Sequence, residues 1–169
     1  MCIRDSYVSF VATQLGIEPG PSLAPLPAVT NFLEHLPQFE QAGVKYLLTP
    51  GDFVLPKLPA TTSLALVFSG PSADIWLLPH PGGLYTTTSG GCRVSQQELE
   101  SVVASCHSSG HLVRRELDMR GWSVTVNGKS AHIVSDGVFQ QVALPRGDSH
   151  VKFVFTPPYM TLALSLIHI

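Results

Sequence analysis

The sequence has little charge and no long apolar run. Charged residues make up 13% of the 169 residues, well below the share in an average soluble domain, and the mean hydropathy is +0.23. The formal net charge of −2 gives no basis for general attraction to nucleic acid or to an anionic membrane surface. No stretch reaches the roughly eighteen consecutive apolar residues that a membrane-spanning helix needs. The composition therefore indicates an apolar globular domain that would suit packing against a larger partner.

The sequence also lacks the motifs that carry common catalytic chemistry. It contains no GxxxxGK[ST] phosphate loop, no GxSxG nucleophile elbow, and no HxH or HExxH spacing. Two carboxylate pairs could be considered, Glu98 with Glu100 and Asp118 with Asp136. The first pair shares one strand face near a turn, which is more typical of a solvated strand edge than of a hydrolytic site. We therefore expect no catalytic residue, no cofactor-binding residue and no metal site in this chain. The histidines outside the C-terminal six residues are scattered: His35, His80, His107, His111, His132 and His150.

Residues 112–158 show the alternation of short antiparallel strands. Trp122, Val124 and Val126 fall on one face of a strand, with polar residues between them. Such strands follow one another with turn signals about every ten residues. The expected fold is mostly β (α+β): an antiparallel β-sandwich of short strands with a small N-terminal helical segment.

Three turn signals separate these strands. Asn127-Gly128 supplies the two positive-φ residues that a two-residue hairpin needs. Asp136-Gly137 marks the next reversal, and the polar run Pro145-Arg146-Gly147-Asp148 marks the one after it. The same run contains an integrin-type tripeptide, but turn formation alone accounts for these residue types.

The N-terminal half gives weaker signals. Apolar residues at helical spacing over 32–39 predict two short helical turns, because Pro37 interrupts the pattern. Val44 to Leu48 is expected to form a buried strand, and 64–68 with 73–78 a strand pair around a Ser-Gly-Pro-Ser turn.

The two chain ends have the character of translated sequencing adapter. Residues 1–6 and 164–169 can be encoded by one DNA string and its reverse complement, as a transposase-type adapter would leave. Between these ends we expect an irregular or linker segment at 7–29 and a single β-rich domain at 30–158. Residues 159–163 turn apolar and are a candidate start of a truncated membrane helix.

The order of turns and strands resembles a known family. It is similar to the C-terminal extracytoplasmic domain of YfhO-like bacterial membrane proteins, which are large many-helix proteins related to polytopic glycosyltransferases that use lipid-linked sugars. A second similar strand lies at 42–49, and Met119 departs from the pattern, because the family more often has an aromatic there. The residues that carry the resemblance are Gly121-Trp122, Val126-Asn127-Gly128-Lys129, Leu144-Pro145, Gly147 and residues 151–157.

The resemblance implies a non-catalytic accessory domain on the extracytoplasmic face of a bacterial cell membrane. Its partners would be the membrane portion of the same protein and a glycan or lipid-linked sugar, with no cofactor and no nucleic acid. The catalytic carboxylate of such enzymes lies in an early loop outside this chain. Two alternatives remain open: a secreted carbohydrate-binding or adhesion β-sandwich, which predicts exposed aromatics on one sheet face, and a stand-alone hydrolase, which needs a clustered acid, base or nucleophile.

Cysteine is scarce, but its spacing is informative. Of the three cysteines, Cys2 belongs to the adapter-like end, and Cys92 and Cys106 lie at equal distances from Leu99. A hairpin turn is predicted near Gln97-Glu98, so antiparallel pairing would place the two thiols opposite each other, within reach of a disulfide. Two separate buried thiols are the alternative. Zinc is disfavoured, because no CxxC or paired histidine completes a ligand set.

Two further interpretations concern single residues. Arg114 and Arg115, next to Glu116 and Asp118, predict cross-strand ion pairs. Trp122, on the apolar face of its strand, is expected in the core rather than at a sugar-stacking surface.

Overall fold

The computed structural model describes residues 9–13, 15, 29–51, 53–55 and 63–158. The chain divides into two compact units, Met1–Gly83 (unit 1) and Leu84–Ile169 (unit 2), where the sequence predicts one domain over 30–158. Within the expected irregular segment 7–29, residues 9–13 are helical. The adapter-like ends 1–6 and 164–169 and the apolar segment 159–163 lie outside the described residues.

The described part of unit 1 contains the helical residues 9–13, two further short helices and a three-stranded antiparallel sheet. Pro37 lies in the first turn of the helix that begins at Leu36, where its missing N–H is tolerated, and the break between the two helices falls at His35. The two short helical turns that the sequence predicts are therefore present. The sheet has the order β1-β3-β2, and the predicted pairing of 64–68 with 73–78 is confirmed. The elements are α1 (Val29–Glu34), α2 (Leu36–Gln41), β1 (Tyr46–Thr49), β2 (Ala65–Ser69) and β3 (Asp74–Leu77).

The core of unit 1 lies between the helices and one face of this sheet. Leu47, from the sheet, packs against the cluster of Phe32, Leu36 and Phe39. Glu40 is buried on α2, and its carboxylate accepts the backbone N–H of His80 at 2.5 Å. This bond fixes the chain after β3 to the helix and supplies a partner for a buried charge.

The prediction of a buried strand at 44–48 is wrong. Tyr46 is 51% exposed and Leu48 is 67% exposed, whereas Leu47 between them is half-buried. The reason is that the described helices pack on the side of the sheet where Leu47 lies, whereas Tyr46 and Leu48 point to the other side. An apolar run in the sequence does not reveal that one face of the strand is left uncovered.

Unit 2 is an antiparallel β-sandwich, and the predicted fold class is confirmed. One sheet has four strands in the order β10-β11-β7-β4, and the other has five in the order β5-β6-β12-β8-β9. The strands are β4 (Tyr85–Thr87), β5 (Arg93–Gln97), β6 (Ser101–Cys106), β7 (Gly110–Leu117), β8 (Trp122–Val126), β9 (Lys129–Ala131), β10 (Val134–Asp136), β11 (Phe139–Leu144) and β12 (Gly147–Phe155).

The core of unit 2 draws on both sheets. Leu112 and Val142 come from the four-stranded sheet, and Val102, Val151 and Phe153 come from the five-stranded sheet, all in one buried cluster. Period-two burial along β11 and β12 agrees with the alternation of the sequence. The two inner faces therefore pack against each other as in other sandwiches.

The tightest predicted turn is also confirmed. Asn127 has φ 52° and Gly128 has φ 75°, the pair of positive values that a two-residue hairpin requires. Val126 and Lys129 pair directly on either side of them. The turn thus sets the register of β8 and β9.

Candidate functional site

The interior of the sandwich holds a buried cation. Arg114 lies on β7, the strand between β4 and β11, and it is 1% exposed. Its direct neighbours across the sheet are Tyr85 on β4 and Gln140 on β11. These three polar side chains form one row across the inner face of the four-stranded sheet.

The opposite sheet covers this row with aromatic rings. The guanidinium carbon of Arg114 lies 4.3 Å from the ring centroid of Trp122 and 4.7 Å from that of Phe153. Stacking of this kind suits guanidinium, which is planar and less strongly hydrated than ammonium. Tyr85, Arg114, Trp122, Gln140 and Phe153 together make up what we call the arginine cluster, and it joins the two sheets.

Hydrogen bonds connect the arginine cluster to the turn between β5 and β6. Arg114 Nη2 donates to the carbonyl oxygen of Leu99 at 2.8 Å, and the Tyr85 hydroxyl donates to the same oxygen at 3.1 Å. Arg114 Nη1 donates to Gln140 Oε1 at 3.2 Å. Within the described residues, Arg114 Nε and Trp122 Nε1 are buried without an acceptor. The cluster therefore anchors the turn between β5 and β6. It also includes a buried charge whose hydrogen bonds are only partly satisfied, which costs free energy.

The prediction that Arg114 forms a cross-strand ion pair is wrong. Its partners are an amide oxygen, a carbonyl oxygen and two aromatic rings. One signal in the sequence could have revealed this position: Leu112 and Arg114 lie two residues apart, so a strand that buries Leu112 also turns Arg114 inward. The run of charges from Arg114 to Glu116 conceals that alternation.

Burial also shifts two pKa values in this region. Desolvation raises the pKa of the Tyr85 hydroxyl above its ordinary value of 10.0, although the charge of Arg114 and its hydrogen bond act in the other direction. Burial lowers the pKa of the Arg115 guanidinium from its ordinary value. The change at Tyr85 moves its pKa away from neutrality, so it does not create an acid or a base that works near neutral pH.

Cys92 and Cys106 form a disulfide. They come directly before β5 and at the end of β6, beside the pair Arg93 and Ser105, so the hairpin predicted from the spacing is present. β5 is an edge strand whose register shifts between Val94 and Gln96. The bond therefore ties the open end of an edge strand to its neighbour.

The residues that carry the resemblance hold β8 against β12. The carbonyl of Gly121 accepts the backbone N–H of Thr156 at 2.9 Å, at one end of the pair. At the other end, Asn127 Oδ1 accepts the backbone N–H of His150 at 2.8 Å, and Asn127 Nδ2 donates to the carbonyl of Asp148 at 3.2 Å. Trp122 lies between them, packed against the core and 5.0 Å from the ring of Phe155. These residues have structural roles.

The remaining motif residues lie in the turn before β12. Pro145 and Arg146 are exposed, and Gly147 opens β12 with φ 91°. Asp148 is also exposed. This turn contributes no side chain to the arginine cluster.

One face of the sheet in unit 1 is apolar and exposed. Direct cross-strand pairing places Tyr46, Leu77 and Ala65 in one row and Leu48, Ile75 and Phe68 in the next. Paired residues point to the same side of an antiparallel sheet, and the helices pack on the other side, where Leu47 lies. We call these six residues the open face.

Other kinds of site are not apparent in the part of the chain that the structure describes. No group of three or more His, Cys, Asp or Glu side chains there could hold a metal ion. Among the same residues, no helix has the length and apolar character needed to cross a membrane.

Comparison with known proteins adds no relative. No family model matches the chain, and neither the curated proteins nor the solved structures give a match. The resemblance to YfhO-like proteins therefore stays a prediction.

Proposed function

We propose that this chain is a non-catalytic, extracytoplasmic accessory domain of a membrane-embedded, glycosyltransferase-like bacterial protein. Its partners would be the membrane portion of that protein and a glycan or lipid-linked sugar. In this role the domain caps the membrane portion, and sugar transfer itself takes place elsewhere in the parent protein.

The observation that carries the proposal is the disulfide between Cys92 and Cys106. Structural disulfides persist outside the cytoplasm, because cytosolic thiol systems keep most cysteines reduced. This one lies at an edge strand, where it closes the end of the β5–β6 hairpin. Such a bond is useful in an oxidising compartment and would be open in the cytosol.

The roles of the motif residues also support an accessory function. Gly121 and Asn127 hold two strands together, and Arg114 anchors a turn. The chemistry of these residues serves the architecture of the sandwich, as expected of a domain that positions or covers another part of a protein.

A secreted carbohydrate-binding module is the second candidate, because one observation favours it. Tyr46 and Phe68 are exposed aromatics on one sheet face, the feature that sugar stacking requires. The other four residues of the open face are aliphatic, however, so the Tyr46 hydroxyl is the one polar side-chain group that this face offers to a sugar. Carbohydrate sites need several hydrogen-bonding groups beside the aromatic ring.

The compartment can be tested by producing the chain in a bacterial host with and without a cleavable export signal. Maleimide labelling of the unfolded exported protein should modify Cys2 and leave Cys92 and Cys106 unlabelled, whereas all three cysteines of the cytosolic form should react. A Cys92→Ser variant serves as the control, because its Cys106 must become reactive in the exported form. Free thiols at both positions in the folded, exported protein would contradict the proposal.

A further inference from the structure

The open face is an exposed apolar surface of the described sheet in unit 1. Leu48 is 67% exposed, Phe68 is 55% exposed and Tyr46 is 51% exposed. They lie on the two outer strands, with Ile75 and Leu77 half-buried between them on β3. Contiguous apolar surface of this kind on a folded domain marks a place of contact with a partner or a membrane.

In the described part of unit 1, the charge that lies beside the open face is that of Lys45. Lys45 is exposed, directly precedes Tyr46 and places its ammonium 5.3 Å from the centre of the Tyr46 ring. The acidic residues in the described part of unit 1 lie elsewhere: Glu40 and Asp74 are buried, and Glu34 belongs to helix α1. Among the described residues of unit 1, no carboxylate therefore lies on this face to repel an anionic surface.

We propose that the open face docks on a lipid bilayer that contains anionic lipids. Leu48, Phe68 and their neighbours would enter the boundary between headgroups and acyl chains, as the apolar faces of interfacial proteins do. The Tyr46 ring, with its apolar body and polar hydroxyl, matches the headgroup level, and Lys45 lies beside it where it can meet lipid phosphates. This docking involves residues of unit 1 alone, and it goes beyond the proposed function.

Two other occupants fit this face less well. A sugar would find one hydroxyl and no amide or carboxylate among the six side chains of the open face. A second copy of the chain could stack its own open face here, but Lys45 of each copy would then approach six side chains that include no carboxylate. A bilayer satisfies both the apolar centre and the cationic edge.

Flotation of the full chain with vesicles tests the proposal. The chain should float with vesicles of phosphatidylcholine mixed with phosphatidylglycerol. The double variant Leu48→Ser, Phe68→Ser should partition at least about tenfold more weakly, because two half-exposed apolar side chains lose their transfer into lipid. Lys45→Gln should weaken binding about fivefold to the mixed vesicles and leave binding to pure phosphatidylcholine unchanged.

Leu99→Ser is the matched control. The Leu99 side chain is 70% exposed, but it lies on the β5–β6 turn of unit 2, so its loss should leave flotation unchanged. Near-ultraviolet circular dichroism must show that each variant is folded, which is expected because the substituted side chains are mostly in solvent.

Three results would overturn the proposal. One is a folded wild-type chain that stays with the aqueous phase, and another is a double variant that floats like the wild type. The third is a wild-type dimer, seen by sedimentation velocity, that the double variant dissociates, because the face would then belong to a second copy. None of these results depends on whether Cys92 and Cys106 are oxidised. Failure of the docking proposal in flotation is therefore distinguishable from failure of the proposed function in thiol labelling.

Discussion

At the scale of single residues, Arg114 is the most demanding side chain in the sandwich. A buried guanidinium must recover its hydration from the protein, and here it does so through Leu99, Gln140 and two aromatic rings. Removing one member of such a set leaves buried polar groups without partners, which destabilises more than losing an exposed contact.

Arg114→Ala should therefore lower the free energy of unfolding by about 3 kcal/mol or more, because it opens a cavity and leaves Gln140 Oε1 without its hydrogen-bond donor. Arg114→Lys should give a smaller but clear loss, because an ammonium cannot stack on two rings while keeping both hydrogen bonds. Urea denaturation measures both effects. Arg120→Ala, at an exposed arginine, is the control and should change stability by less than about 0.5 kcal/mol. Equal effects at the two arginines would show that the cluster does not contribute to stability.

The raised pKa of Tyr85 predicts how stability changes in alkali. Burial favours the neutral phenol in the folded state, so its contribution is complete below pH 10 and is lost as the pH rises through the folded-state pKa. Phenolate absorbance should show a tyrosine that ionises above the ordinary range, and Tyr85→Phe should abolish that step. Tyr46→Phe, at an exposed tyrosine, should leave the step in place. A late step that survives in Tyr85→Phe would contradict this assignment.

At the scale of elements, the turns at the two ends of β8 differ in what they tolerate. Gly121 has φ 110°, and a β-carbon there would overlap the carbonyl oxygen of Thr156. Gly128 has φ 75°, but nothing lies within 4 Å of the corresponding position. The first glycine is required by both conformation and space, and the second by conformation alone.

Gly128→Ala should consequently lower stability by about 1 kcal/mol, the usual result of forcing an L side chain into the left-handed region. Gly121→Ala should lower it by more than about 3 kcal/mol, because the clash with a backbone atom adds to that strain. Urea unfolding of the two variants side by side gives the comparison. Equal losses, or a larger loss at Gly128, would mean that the close approach of β8 to β12 is not rigid.

The sequence predicts the elements that local signals specify. Asn127-Gly128 fixes a hairpin through its own backbone preferences, and the spacing of Cys92 and Cys106 around a turn indicates their register. The sequence does not reveal which face of the unit 1 sheet the helices cover, and that decides the exposure of Leu48. It also conceals the inward position of Arg114, because the aromatic rings that accept this cation come from strands of the other sheet. Those features depend on contacts between residues distant in the chain.

At the scale of the whole molecule, the chain consists of two compact units, each with its own core. Its low charge and the open face of unit 1 suit a protein that works against an apolar surface. The disulfide of unit 2 suits an oxidising compartment. The central claim that joins these features is that the chain belongs to a larger membrane protein.

Reading the natural gene on both sides of the chain tests that claim most directly. The account predicts successive apolar helices of about twenty residues in the flanking sequence, one of them starting close to residue 163, with a catalytic carboxylate encoded far upstream. A cleavable export signal just before residue 7, together with a stop codon or a polar linker after residue 163, would contradict the hypothesis that the chain belongs to a larger membrane protein. The secreted carbohydrate-binding sandwich would then be the leading account.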